Sequence, residues 1–178
     1  MLLVAQGNHA ACRQLAERHL GRIFAFANRT LGDRALAEDV AQEVFARLWV
    51  HAKRWEPGPA RVSTWLHRIA LNLCLDLKAK RREETLDDVP EPIDTAKDAV
   101  TQLQDRDLQL HVQAAMQTLP ETQRAAITLC YFDGFRNLEA AEILGVSVEA
   151  LESLLARARR GLRDRLRDLA PELLGGLS

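Results

Sequence analysis

Apolar side chains recur at three- and four-residue steps along most of this chain, the period of helices that bury one face. In residues 63–80 the stripe is Trp65, Leu66, Ile69, Leu73 and Leu77, and Ser63 stands where a side-chain oxygen can cap the first turn. The same period predicts helices over 10–31 and 34–53, interrupted by Gly32 and Asp33, while Pro57, Gly58 and Pro59 mark a loop before residue 63. Apolar and polar residues alternate nowhere for long, so strands are not expected. The expected fold class is all-α.

Residues 83–94 are acidic, contain Pro90 and Pro92 and lack an apolar stripe, which is the composition of a solvated linker. Helical periodicity resumes near residue 96 and runs to 119. Pro120 then suits the first position of another helix, where its missing N–H is not needed, and that helix ends at Asp133 and Gly134. A short helix over 138–144, a turn at Gly145, Val146 and Ser147, and a longer helix over 148–169 form a helix-turn-helix pattern. Gly145 permits the positive φ of the turn, Ser147 caps the second helix, and Ala141, Leu144, Val146, Leu151 and Leu155 are the expected contacts between the two helices. The predicted architecture is two small helical domains joined by an acidic flexible linker, the second containing the helix-turn-helix, with boundaries at 1–82, 83–105 and 106–178.

With 178 residues, 47% of them hydrophobic, the chain can supply a core for each unit. Its net charge of -1 conceals segregation. Residues 1–82 carry 14 Lys or Arg against 7 Asp or Glu, residues 83–107 carry 2 against 9, and residues 108–178 carry 8 against 9. The first unit is therefore basic and the linker strongly acidic. Cys12, Cys74 and Cys130 lie far apart without CxxC spacing, which fits free thiols packed on helix faces in a reducing cytoplasm. His9 and Cys12 stand three apart, but two candidate ligands do not make a metal site. No run approaches a membrane span, the N-terminus lacks a signal-peptide pattern, and no cofactor is implied.

The helix over 63–82 carries Arg68, Asn72, Lys78, Lys80, Arg81 and Arg82, cations for phosphates and an amide for an unstacked base. The helix before it sets Glu38, Asp39, Gln42 and Glu43 on adjoining turns opposite Val40, Val44, Phe45 and Leu48, a polar patch suited either to a basic partner or to solvent. After Ser147, the helix continues through Arg157, Arg159, Arg160, Arg163, Arg165 and Arg167. Its first turns would enter the major groove in such motifs, although Glu152 and Leu154 stand where base edges and phosphates reward donors. No Ser, His and Asp arrangement, phosphate loop or carboxylate cluster supports an enzyme.

Taken in order, residues 37–49 (AEDVAQEVFARLW), 63–82 (STWLHRIALNLCLDLKAKRR) and 119–166, with LPETQR followed by AAEILGVSVEALESLLARARRGL, resemble a bacterial RNA polymerase sigma factor of the extracytoplasmic-function group. The resemblance covers nearly the whole chain. It implies that Asp39, Gln42 and Glu43 contact the β′ clamp of core RNA polymerase. Trp65, Arg68 and Asn72, with the loop from Trp55 to Val62, would engage the melted minus-10 strand, Trp65 acting more as a core anchor than as a stacking platform. Lys78, Lys80, Arg81 and Arg82 would hold upstream phosphates.

The minus-35 element would fall to Ser147, Glu149, Ala150, Ser153, Arg157, Arg159 and Arg160. Where the family usually has Thr, Val, Lys, Ser, Arg and Leu, this chain has Ala150, Leu151, Glu152, Ser153, Leu154 and Leu155, which shifts weight toward phosphate contacts and duplex shape. A strand of 25 residues reaches about 80 Å, so the linker is long enough for two separated promoter elements, and its acidity suits either a nucleic-acid mimic or a plain tether. The implied partners are core RNA polymerase through its β′ clamp and β subunits, promoter DNA, and an anti-sigma factor of soluble or membrane-anchored type, with no membrane insertion by this chain. The implied activity is promoter recognition without a catalytic centre. A sigma-like decoy for an anti-sigma factor and an ordinary helix-turn-helix regulator remain as alternatives.

Overall fold

The computed structural model describes residues 1–53, 61–84 and 103–175. They form α1 (Leu2–Ala5), α2 (His9–Leu31), α3 (Arg34–Ala52), α4 (Val62–Glu84), α5 (Leu103–Gln117), α6 (Glu121–Ile127), α7 (Asn137–Leu144) and α8 (Val148–Gly175), with a π turn over Thr128–Phe132 extending α6. No strand occurs among the described residues, and none of their helices is long and apolar enough to cross a membrane. Pro57, Gly58, Pro59 and most of the expected linker fall outside the described residues.

Gly32 and Asp33 divide α2 from α3 by two separate means. Gly32 takes φ 73°, a conformation that favours glycine, and its N–H donates to the Asn28 carbonyl at 2.8 Å. The Asp33 carboxylate then accepts the Leu36 N–H at 3.1 Å and starts α3. Ser63 does not cap α4. That helix begins at Val62, the Trp65 N–H donates to the Arg61 carbonyl at 3.2 Å, and Ser63 already lies within the first turn.

The stripe on α4 is wider than its period suggests. Leu66 is fully buried, Ala70, Leu71 and Cys74 are buried beside it, and Trp65, Ile69, Leu73 and Leu77 are half-buried against the core. The cause is that α4 packs against α2 and α3 on one side and α7 on another. Pro120 lies one residue before α6, with ψ 144°, instead of within its first turn. At the C-terminus, α8 runs six residues past 169 and through Pro171, along a Leu162, Leu166, Leu169 and Leu173 spacing that keeps the helical period.

The two halves share one core: Ile23, Phe26, Val44, Leu48 and Leu66 are continuous with Leu129, Ile143, Leu151 and Ala158. Between them runs a polar seam. Arg124, only 4% exposed, donates to the Thr30 carbonyl at 2.6 Å and to the Gln117 and Leu119 carbonyls at 2.8 Å, and Gln117 Nε2 donates to the Arg29 carbonyl at 3.0 Å. His67 is 1% exposed and lies edge-on to Phe26 from the first half and Phe135 from the second, with ring centroids 5.3 and 4.7 Å away.

Cys74 is buried, Cys12 and Cys130 are half-buried, and all three are free thiols. Burial pushes the Cys74 thiol up to about 12, against a small opposing effect of Lys78, and burial also raises Cys130.

Candidate polymerase and nucleic-acid surfaces

On α3, Ala37, Val40, Ala41, Val44, Phe45 and Leu48 point into the core, which leaves Glu38, Asp39, Gln42 and Glu43 exposed on the opposite side. Glu38 pairs with Arg34 at 3.1 Å and Glu43 with Arg47 at 2.7 Å, both exposed i,i+4 pairs that hold the carboxylates outward while contributing little stability. Two features of this surface were not anticipated. Trp49 tilts onto Phe45, with ring centroids 5.8 Å apart, and the next residue, Val50, is 73% exposed, so the patch ends in large apolar groups. Beside it, Leu20 and Phe24 join Ala41 and Gln42 in lining a shallow cleft. Their signal in the sequence was an apolar residue at a position the buried stripe of its helix does not need.

On α4, Arg68 and Asn72 are exposed and four residues apart, so they share one face. Trp65 is half-buried against the core and meets His51 edge-on, centroids 5.8 Å apart, which is the placement of an anchor. Residues 54–60, most of the loop expected to assist it, lie outside the described residues. Lys80, Arg81 and Arg82 are exposed on the last turns, where cations also complement the helix dipole. Lys78 differs from them. It is half-buried, and its pKa is lowered by burial and then by the Arg124 charge, partly offset by Glu121. Arg81 pairs with Asp33 at 3.5 Å, Arg82 with Glu121 at 2.9 Å, and Arg61, just before the helix, with Glu139 at 3.4 Å.

In the helix-turn-helix, Gly145 takes φ 67° and the Ser147 hydroxyl accepts the Ala150 N–H at 3.2 Å. Val146 is 38% exposed and contributes through its backbone, whose N–H donates to the Ala141 carbonyl at 3.0 Å, and not through the side-chain contact expected of it. Leu151, Leu155 and Ala158 are buried, so Ser147, Glu149, Ala150, Ser153, Arg157, Arg159 and Arg160 lie exposed along the outer face of α8. The two residues that departed from a groove-reading pattern have structural employment. Leu154 packs against the core, and Glu152 accepts from Asn137 Nδ2 at 3.4 Å, tying α8 to α7. Hydrogen bonds from its own backbone N–H and from the Ser147 hydroxyl hold the Glu149 carboxyl below the usual carboxylate range.

These surfaces sort into a carboxylate and apolar face on α3, an amide and cation face on α4, and an arginine-bearing outer face on α8. No group of three His, Cys, Asp or Glu side chains converges as metal ligands among the described residues.

Comparison with known proteins gives a consistent result. Residues 15–84 match the sigma-70 region 2 family and residues 109–162 match sigma-70 region 4. The ECF RNA polymerase sigma factor SigE of Mycolicibacterium smegmatis is 34% identical over 169 residues, a match that takes in 91% of this chain and 65% of SigE, so the chain spans about two-thirds of that relative. The ECF RNA polymerase sigma factor SigW of Bacillus subtilis is 31% identical over 181 residues, covering 93% of this chain and 94% of its own. Among solved structures, the sigma factor RpoE in complex with the anti-sigma factor NepR, from Bartonella quintana, superposes with a TM-score of 0.69 at 28% identity, over 87% of this chain and 96% of RpoE. CnrH in complex with the cytosolic domain of CnrY gives a TM-score of 0.69 at 30% identity, over 93% of each chain.

Proposed function

This chain belongs to the extracytoplasmic-function group of sigma-70 RNA polymerase sigma factors, and from that premise we propose how its surfaces divide the work of promoter recognition. The first unit, residues 1–82, docks on the β′ clamp of core polymerase through Asp39, Gln42 and Glu43, with Trp49 as an apolar anchor at the end of the patch. Across the same small core, Arg68 and Asn72 meet the minus-10 strand once it is melted. Binding energy from captured bases, about 1–3 kcal/mol each, offsets the few kcal/mol needed to unstack a step. The second unit, residues 106–178, sets the start of α8 in the minus-35 major groove, where Arg157, Arg159 and Arg160 hold phosphates.

The observation that carries this reading is that a single core presents the α3 carboxylates on one exposed face and the paired Arg68 and Asn72 on another, so a polymerase contact and a strand contact are held in fixed relation. Polymerase supplies the chemistry of RNA synthesis, and the chain works in the cytoplasm. An anti-sigma partner fits the relatives, since RpoE is solved bound to the anti-sigma factor NepR and CnrH bound to the cytosolic domain of CnrY.

Run-off transcription with purified core polymerase and a promoter library tests the proposal. A complex with core that yields transcripts from a defined promoter subset is the expected result. Failure to bind core overturns it, and binding without transcripts favours a decoy.

A further inference from the structure

Capture of an open strand needs an aromatic surface as well as cations and an amide, because a base pulled out of the duplex regains stacking only on another ring. Trp65 stands at the right end of α4 but is half-buried against the core, where it serves as an anchor. The exposed ring at this place comes from α3. His51 lies on the last turn of that helix, exposed, and meets Trp65 with ring centroids 5.8 Å apart and planes at 73°. At that angle the two rings do not stack on each other, so at least one face of the imidazole is left uncovered by Trp65. The contact also limits how far the imidazole can turn.

His51 belongs to the strand side of the first unit. It is turned by about 100° from Val50, which ends the carboxylate and apolar patch of α3, and it rests on α4 instead. On α4, Trp65, Arg68 and Asn72 follow one another at steps of three and four, so His51 stands at the start of the face that carries Arg68 and Asn72. Trp65 and Asn72 are seven residues apart. That is ~10 Å along the helix axis, about three steps of a stacked strand at ~3.4 Å each, so His51 and Asn72 cannot hold the same base. Lys53, two residues after His51, is also exposed and sets a cation at the same helix end.

We propose that His51 is a stacking platform for an unpaired base of the minus-10 strand, steadied by Trp65, at a different strand position from the one met by Asn72, with Lys53 on an adjoining phosphate. This rests on the reading of Arg68 and Asn72 as the strand face. Stacking is indifferent to the identity of the base, so His51 adds affinity for the open strand while Asn72, with its donor and acceptor, adds the choice of base.

The test uses holoenzyme formed with core polymerase and a forked duplex from a promoter it transcribes, with the minus-10 strand unpaired. The fluorescent base 2-aminopurine, which stacking quenches, is placed at each minus-10 position in turn. His51→Ala should weaken fork binding several-fold and raise the fluorescence at one position, and His51→Tyr should restore both. Helicity by circular dichroism and affinity for core polymerase should stay at the wild-type level in both variants. Wild-type fork affinity in His51→Ala, or unchanged fluorescence at every position, would overturn the platform, as would a His51→Tyr variant that behaves like the Ala variant. A fall in core affinity would assign His51 to the polymerase side and overturn it too. Arg68→Ala separates the platform from the reading it rests on: loss of fork binding there but not in His51→Ala leaves the minus-10 face without the platform, and loss in neither removes both.

Discussion

Arg124 donates to the main-chain carbonyl of Thr30 at 2.6 Å, joining residues 94 positions apart across the middle of the protein. Besides Gln117 Oε1, its other bonds hold the Gln117 and Leu119 carbonyls, so one side chain satisfies three main-chain acceptors in a place that water does not reach. Arg124→Ala leaves all three without that donor. We expect a loss of about 3 kcal/mol or more, comparable to breaking a buried charged pair. Thermal unfolding should show it as a midpoint lowered by roughly 6–12 °C. An unchanged midpoint would mean that the seam contributes nothing to stability.

Asp39 and Glu43 point away from the core, so reversing them should spare the fold and strike the partner. Asp39→Lys with Glu43→Lys is expected to change stability by only about 0.5 kcal/mol. Affinity for core polymerase should fall by about tenfold or more, equivalent to at least ~1.4 kcal/mol. A pull-down titration against purified core measures this, and equal binding by both proteins would move the clamp contact elsewhere.

The all-helical fold was legible because stripes such as Val40, Val44 and Leu48 have one period and one buried side. The Gly32 and Asp33 break and the Gly145 turn were legible for a similar reason: each rests on a conformation or cap supplied by the residue itself. The seam was not. Asp133 reads only as the end of a helix and His67 and Arg124 carry no signal of their own, and long-range packing turns all three inward, His67 toward Asp133 and Arg124 onto Thr30. Leu154 misled in the opposite sense. It looked like a missing DNA contact because the register of α8 on the core, which makes it a packing residue, is fixed by tertiary contacts. Lys78 stood in a run of cations but is half-buried, and its pKa is lowered first by burial and then by the charge of Arg124, a group contributed by the far half of the chain.

Asn72 shares an exposed face with Arg68 and can offer both a donor and an acceptor to a base edge. Asn72→Ala should leave core binding intact and cost about 1–3 kcal/mol of discrimination at one minus-10 position. Competition between promoters that differ at single minus-10 bases reads this directly. Unchanged preference would show that the position does not read a base.

Cys74 should be the slowest thiol to react. Its folded pKa of about 12 lies above the ordinary 9.0, so thiolate is scarce at neutral pH and burial blocks access as well. Labelling with a thiol-specific disulfide reagent should spare it until denaturant is added. Because the folded value is the higher one, the thiol favours folding below pH 9 and this contribution is lost as pH rises toward 12. A Cys74→Ala variant should therefore lose less stability than the wild type over that alkaline range.

On the proposed DNA face of α8, phosphate binding and base reading can be told apart by experiment. Arg157 Nε rests on the Ser153 carbonyl at 3.3 Å and Arg159 Nε on the Leu155 carbonyl at 3.3 Å, so both guanidinium groups are aimed along the helix surface. If they grip phosphates, Arg157→Ala and Arg159→Ala should each weaken binding to all minus-35 duplexes alike and reduce the slope of log affinity against log salt by ~0.9. Glu149 would act in the opposite direction if this end of α8 meets DNA, since hydrogen bonds hold its carboxyl below the usual carboxylate range. Glu149→Gln should tighten duplex binding at neutral pH without changing the salt slope contributed by the arginines. Tightening on every sequence would mark simple repulsion of phosphates, whereas tightening confined to some sequences would make Glu149 a reader of base edges, with its carboxylate accepting from cytosine.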